Sequence, residues 1–502
     1  MTILFHVDRN SSVPLFRQII DGITGLIESG DLVPGQSLPA SRTLAAQLGI
    51  NRSTVYKAYQ ELWALGYIDS TPGSYSIVRK RPKLNRTRPD LSPSLINWIQ
   101  RRTENVAELA ALDNSECTVM NELLNITRER NPDEKPIDLV SISPDPRLMP
   151  TDDYRKCIST VLANQGSEIL TYGDPQGYLP LRERIAERMS LHGIHTRPDE
   201  IMLTTGAQSA LDLLCKFSFG RGVKIAAESP TYVRLVGLAK LYGIQIAPVP
   251  MTTAGANLDV LERTLASGDT AFLYTIPNFH NPTGISTSQE HREQLLRMCE
   301  TYSVPLVEDG FEEEMKYYGK AVLPIKSMDR HRIVLYIGSF SKVLFPGVRI
   351  GWINADREII KELKTLQKYS QLFGPSIEQA AMELFCRNGL YENHIKRMHR
   401  VFRKKMDSTL AAMKEYLPPA VTRWTEPAGG YTLMIRIAGT DRQEYECVRT
   451  IARHGVLVYP GSLHFCSPPE DIHIRISIGT LNTEEIQTGI RRLGAAIEEF
   501  CG

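Results

Sequence analysis

Ser339-Phe340-Ser341-Lys342 runs into Leu344-Phe345-Pro346-Gly347-Val348-Arg349-Ile350-Gly351-Trp352, which sets one amine, flanking hydroxyls and a second cation around a tight turn. The amine can condense with an aldehyde, while Ser339 and Arg349, seven positions beyond the lysine, can hold a phosphate on the same ligand. That combination is what an internal Schiff base to pyridoxal phosphate at Lys342 needs. A lysine without such neighbours would be an ordinary solvated cation.

Two upstream segments supply groups that would serve such a ligand. Ile276-Pro277-Asn278-Phe279-His280-Asn281-Pro282-Thr283-Gly284 is a breaker-rich loop after the apolar run Ala271 to Tyr274, and Val304 to Asp309 reads as a short buried strand ending in acid. Asp309 can hold a proton on a pyridine nitrogen, which makes the ring an electron sink, and Asn281 can donate a hydrogen bond to a phenolate oxygen. Standing alone, Asp309 would equally serve as a loop acid or helix cap.

The order Asn281, Asp309, Lys342, Arg349 resembles the fold-type I pyridoxal phosphate enzymes, the aspartate aminotransferase superfamily, over most of residues 136 to 502. The resemblance implies a phosphate cup at Ala207 and Gln208 in Thr204-Thr205-Gly206-Ala207-Gln208, where a strand-like stretch gives way to an apolar helix whose N-terminus suits an anion. It also implies that Tyr232, in Glu228-Ser229-Pro230-Thr231-Tyr232, lies on the cofactor ring. Arg475 breaks the apolar face of the alternating run Ile472 to Gly479, and by resemblance it pairs with a substrate α-carboxylate through its guanidinium fork. Arg234, two positions after Tyr232, is a further candidate for an anionic effector. Tyr172 matches a tyrosine that reaches the phosphate of the neighbouring subunit's cofactor, which implies a homodimer.

The first eighty residues carry a different pattern. Pro14 to Gly30 has Leu15, Ile19, Ile23, Leu26 and Ile27 on one helix face. A second helix is expected with Ser41 as its N-cap and Gly49 as its stop. A third is expected to open at Ser53, to bury Val55, Tyr59, Leu62 and Leu65, and to end at Gly66. Tyr67-Ile68-Asp69 and Tyr75-Ser76-Ile77-Val78 then read as two short strands around Ser70 to Ser74, the pattern of a wing. Pro34 to Arg42 and Asn51-Arg52-Ser53-Thr54-Val55 resemble the winged helix-turn-helix of the GntR family. The resemblance implies that Arg42, Arg52, Ser53, Thr54 and Lys57 face promoter DNA and that Gly73 shapes the wing turn. The family's usual Gly-x-Gly wing turn is reduced here to Gly73.

Composition sets bounds around these motifs. The 502 residues, 42% hydrophobic, suit two or three globular domains, and a net charge of +1 covers a basic N-terminal segment on a near-neutral body. The eight cysteines show no Cys-x-x-Cys spacing, which speaks against zinc and for a reducing compartment. No secretory signal and no apolar run of membrane-spanning length is apparent, so a cytoplasmic location is expected, with no membrane partner and no metal. The expected organisation is a winged helix-turn-helix over 1–79, a linker and leading helix over 80–135, and an aminotransferase-like body over 136–502. Within that body the large part spans about 170–385, and the small part about 386–502 plus 136–169. The fold class is α/β, with a large, mostly parallel sheet and a smaller α+β part.

A GntR-type winged helix joined to a fold-type I body is similar to the MocR-type transcriptional regulators over essentially the whole chain. The resemblance implies a pyridoxal 5′-phosphate-dependent regulator whose Schiff base at Lys342 senses an amino compound, carboxylated in view of Arg475, or the cofactor itself. The alternative is an active aminotransferase carrying a DNA-binding appendage, with Lys342 as general base. The sequence leaves that alternative open, because Asn281 and Arg475 stand as in working aminotransferases.

Overall fold

The computed structural model describes residues 5–69, 75–80, 96–218, 222–320, 322–438 and 443–502. They fall into two compact units, Met1–Arg101 and Arg102–Gly502.

In the first unit, α1 (Leu15–Ser29), α2 (Ser41–Leu48) and α3 (Arg52–Ala64) precede a small antiparallel pair, β1 (Ile68–Asp69) and β2 (Ile77–Val78), with Ile68 opposite Val78. Ile23, Leu44, Val55 and Leu62 are all completely buried, and each contributes roughly 2 kcal/mol of transfer free energy. Left-handed glycines close α1 and α2, at Gly30 and Gly49, as the breaker positions predict. Three local expectations need correction. Ser41 is the first helical residue of α2 and makes no cap hydrogen bond, since Ala40 occupies the cap. α3 opens at Arg52, one residue before Ser53, because Asn51 takes the cap and its side chain accepts from the otherwise unsatisfied Ser53 amide. Leu65 is 45% exposed, as it lies past the last helical turn, and Ala58 fills the buried face instead. Ser70 to Ser74, with Gly73, lie outside the described residues.

The second unit begins with the long helix α4 (Glu104–Arg130), capped by Thr103, and continues through β3 (Ile137–Asp138), α5 (Thr151–Gln165) and α6 (Leu179–Leu191). Strands and helices then alternate: β4 (Ile201–Thr204), α7 (Ala207–Ser218), β5 (Lys224–Ser229), α8 (Val233–Tyr242), β6 (Gln245–Thr252), β7 (Gly255–Ala256), α9 (Leu258–Ala266) and β8 (Thr270–Thr275). They are followed by α10 (Gln289–Thr301), β9 (Leu306–Asp309), β10 (Val334–Ser339), β11 (Gly351–Asn354), α11 (Arg357–Gln371) and α12 (Ser376–Arg387). The sheet order is β4-β11-β10-β9-β8-β5-β6-β7. β6, β5, β8, β9 and β10 are parallel, and β11 inserts antiparallel between β10 and β4.

Period-2 alternation explains why both faces of this sheet are covered. Ala226, Leu273, Leu306 and Val334 pack with residues of α9 and α10. Their neighbours Ile225, Ala227, Phe272, Val307 and Leu335 pack with residues of α7, α8 and α11. The chain ends with α13 (Leu390–Tyr416), β12 (Thr422–Trp424), β13 (Thr432–Ile437), α14 (Glu444–Arg453), β14 (Val456–Leu457), β15 (Tyr459–Pro460), β16 (Ile472–Ser477) and α15 (Thr483–Cys501). Their antiparallel sheet has the order β12-β13-β16-β15, while β14 pairs in parallel with β3.

Candidate functional site

β5, β8, β9 and β10 end at one edge of the large sheet, and β4 runs in the same direction, because two antiparallel steps separate it from β10. Loops beyond the carboxyl ends of parallel strands form crevices that bind ligands. A cavity of ≈ 160 Å³ lies there, walled by Ala207, Gln208, Tyr232, Asn281, Asp309, Ser339, Lys342 and Arg349. Ile142, Ile276, Phe311, Ser341 and Pro346 complete it. The sequence scatters these residues over some two hundred positions, and the strand ends bring them together.

Lys342 Nζ donates to the Ile142 carbonyl at 2.7 Å, and Tyr431 Oη donates to the Lys342 carbonyl at 2.5 Å. Burial pulls the Lys342 pKa below the usual lysine value against the attraction of Glu312, and the Arg475 and Arg349 guanidinium groups lower it further. A lowered pKa makes the neutral, nucleophilic amine accessible. Asp309 ends β9 and accepts from Tyr274 Oη at 2.7 Å, while its Oδ1 has no partner among the described residues. Burial pushes the Asp309 carboxyl up to about 6, against the Tyr274 hydrogen bond. Burial also raises the Tyr232 phenol to about 12, with Asp309 adding to the shift, so the ring stays neutral. Asn281 is 5% exposed and its Oδ1 is likewise without a partner.

At the other end of the cavity, the β4 to α7 turn is built for close approach. Gly206 has φ +91, and a Cβ there would sit 2.9 Å from Arg349 Nη2. Arg349 Nη2 donates to the Thr205 carbonyl at 2.6 Å. A Cβ on Gly351 would lie 2.7 Å from the Gly206 carbonyl carbon and 2.8 Å from the Ala207 nitrogen. Ala207 and Gln208 open α7 with first-turn amides that have no intrahelical acceptor. An anion is the natural partner of that array. Ser339 is buried at the end of β10 and accepts from the Ser341 amide at 3.1 Å.

Three expected residues lie outside the cavity wall. Arg475 is 4% exposed on β16, and its Nε and Nη1 have no partner among the described residues. Its guanidinium lies 4.5 Å from the Tyr459 ring centroid, and burial lowers its pKa to about 10. Arg234 faces α4, 3.8 Å from Asp113 and 3.7 Å from Glu116. Tyr172 is 84% exposed, its ring edge-on to Phe373 at 5.6 Å. In the N-terminal unit, Arg42, Arg52, Ser53 and Lys57 are exposed and Thr54 is half-buried. Lys57 Nζ lies 4.4 Å from the Phe16 ring centroid. Tyr56, 55% exposed, stands four positions after Arg52 on the same face of α3. Sequence reasoning missed Tyr56, Tyr274 and Glu312. It also missed the acceptor at Ile142, because a backbone carbonyl leaves no signature in residue type.

Residues 144–493 match the family described as "Aminotransferase class I and II". The chain belongs to that family. Residues 15–78 match "Bacterial regulatory proteins, gntR family", so this aminotransferase-family chain also carries a GntR helix-turn-helix domain. Among similar proteins is the "Uncharacterized HTH-type transcriptional regulator YdfD" of Bacillus subtilis, 29% identical over 97% of both chains. Another is the "2-aminoadipate transaminase" of Thermus thermophilus, 33% identical over 71% of this chain and 88% of its own. A similar solved structure is the α-aminoadipate aminotransferase LysN of Thermus thermophilus complexed with N-(5'-phosphopyridoxyl)-L-leucine. It has a TM-score of 0.72 and 29% identity, covering 81% of this chain and 99% of its own. The family depends on pyridoxal phosphate, and the cavity fits that group: the unpartnered Asp309 oxygen can meet a ring nitrogen, the buried Asn281 amide can donate through its NH2, and the Gly206 cradle leaves room for a phosphate. Among the described residues there is no metal-binding cluster, no helix long and apolar enough to cross a membrane, and no disulfide.

Proposed function

We propose that the protein is a pyridoxal 5′-phosphate-dependent transcriptional regulator of the MocR type, which binds promoter DNA as a cytoplasmic homodimer and responds to a carboxylated amino compound. The observation that carries this reading is the convergence of Lys342, Asp309, Asn281 and Arg349 on one cavity in a chain that also bears a GntR domain. A DNA-binding module has no use in plain transamination. The relative that aligns over 97% of both chains is named as a regulator.

When bound, pyridoxal phosphate supplies an aldehyde that captures amines and a ring that withdraws electrons. Lys342 contributes the neutral amine that its burial favours. Asp309 holds a proton at the ring nitrogen, which also relieves the cost of burying its own charge. Asn281 donates to the phenolic oxygen, and Tyr232 covers a ring face. Ala207, Gln208, Ser339 and Arg349 hold the phosphate through helix amides, a hydroxyl and a guanidinium. Tyr172, too exposed to serve its own cavity, reaches the phosphate in the partner protomer, so the site is complete only in a dimer. Arg475 takes the carboxylate of the amino compound. Arg52, Ser53, Thr54 and Lys57 on α3, with Arg42 on α2, face the DNA.

Regulation requires differential affinity. A ligand that moves the two arrangements of the chain from 1:99 to 99:1 must prefer one of them by about 5.5 kcal/mol. The test is to screen the loaded protein spectroscopically against amino compounds and to assay each hit for DNA affinity and turnover. A hit that shifts the visible absorbance and alters DNA affinity without releasing an oxo acid supports the regulator. Release of an oxo acid with DNA affinity unchanged overturns it in favour of an aminotransferase.

A further inference from the structure

The N-terminal part of α4 is packed more lightly than its C-terminal third, with Leu109 against Gly237 and Asn105 Nδ2 donating to the Leu241 carbonyl at 3.0 Å. The only buried residues of α4 are Leu123 and Thr127, both in its C-terminal third. From Glu104 to Glu116 every described side chain is exposed or half-buried, and a groove of ≈ 390 Å³ runs along the contact of this stretch with α8. That groove shares Gln208 with the cavity around Lys342.

Glu116 is the polar centre of the contact. Its side chain is 13% exposed and lies 3.7 Å from Arg234, and it accepts from Tyr459 Oη at 2.6 Å. The Tyr459 ring lies against the Arg475 guanidinium, whose Nε and Nη1 have no partner among the described residues. Tyr459 and Arg475 are also directly opposed on β15 and β16. The chain therefore already places two carboxylates near a buried cation that is still short of acceptors, Asp138 and, through Tyr459, Glu116. A buried guanidinium without acceptors is costly, and an added carboxylate with bidentate geometry is the group that relieves it.

We propose that Glu116 is a specificity-determining residue, a built-in anion that ties α4 to the Tyr459 and Arg475 pair and that a carboxylated ligand displaces on docking at Arg475. The proposal rests on the ligand reading given above and adds to it the residue that sets the response. Two carboxylates around one cation compete electrostatically, so the arriving ligand weakens the hold of Glu116 and frees the first turns of α4. Along the chain, α4 is the first helix after the N-terminal unit, which gives a ligand-dependent change a covalent route towards the DNA-binding end. An amine lacking the carboxylate would occupy the cavity and leave α4 in place.

The test uses full-length protein loaded with pyridoxal 5′-phosphate, with L-leucine and L-glutamate as carboxylated probes and 3-methylbutan-1-amine as the carboxylate-free probe. Hydrogen exchange of residues 104–116 is followed by mass spectrometry and binding by visible absorbance. Without any ligand, Glu116→Gln should speed exchange over 104–116 while leaving the thermal midpoint of the body unchanged, and should tighten a carboxylated probe by about threefold. In the unsubstituted chain a carboxylated probe should speed the same exchange and the simple amine should not. Asp113→Asn, which alters a carboxylate that faces Arg234 and Cys117 rather than Tyr459, should do neither. Unchanged exchange and unchanged probe affinity in Glu116→Gln would overturn the latch and leave the Arg475 reading standing. Failure of both carboxylated probes to bind would overturn the latch together with that reading.

Discussion

At the residue scale, the lowered pKa of Lys342 and the raised pKa of Asp309 arise from the same burial and act in complementary directions. Lys342→Ala should abolish the visible band of protein loaded with pyridoxal phosphate, and a band that survives dialysis would reject Lys342 as the attachment point. Asp309 shifts from 3.8 to about 6, so its folded-state pKa is the higher one. The stability tied to its neutral form is present below pH 3.8 and is lost as pH rises through 6. That loss amounts to about 3 kcal/mol in the cofactor-free chain. Asp309→Asn should therefore stabilise the cofactor-free protein relative to the unsubstituted chain, increasingly from pH 4 to 6, while weakening cofactor retention. Thermal melts across that range check the sign, and a constant difference would show that the carboxyl titrates normally. Arg475→Ala should selectively impair carboxylated amines, and unchanged amino-acid titrations would show that no carboxylate docks there.

At the scale of elements, motifs carried by side-chain type were legible in the sequence and contacts made by backbone were not. Ser339, Lys342 and Arg349 could be read because a hydroxyl, an amine and a guanidinium at that spacing imply one ligand. The strand ends at Asp309 and near Asn281 could be read from apolar runs closed by breakers. The insertion of β11 between β10 and β4 could not, since an antiparallel return within a parallel sheet leaves no mark in periodicity. The opening of α3 at Arg52 with Asn51 as its cap, rather than at Ser53, turned on one residue of register, which propensity does not resolve. On that helix, Arg52→Ala should weaken operator binding and reduce the slope of log affinity against log salt by about 1. Gel shifts at two salt concentrations would detect this, and an unchanged slope would remove Arg52 from the phosphate contacts.

At the scale of the whole molecule, the proposed homodimer ties cofactor retention to dimerisation through Tyr172. Replacing it with phenylalanine removes one hydroxyl from an exposed ring, so folding and dimer mass should be unaffected. Cofactor affinity should fall by about tenfold, the loss of one charge-assisted hydrogen bond. Equilibrium dialysis checks this, and full retention would place Tyr172 away from any phosphate. Residues 137–142 carry a different lesson about where the body starts. Ile137 and Leu139 donate to the carbonyls of Gly455 and Leu457 at 3.0 Å each, Ser477 donates to the Leu139 carbonyl at 2.7 Å, and the Ile142 carbonyl accepts from Lys342 Nζ. A fragment trimmed to the family boundary at 144 would expose the carbonyl edge of β14, strand Ser477 without its acceptor and leave the reactive amine untethered. Anyone cutting this protein into pieces for expression must keep the stitch that lies just before the part resembling an enzyme.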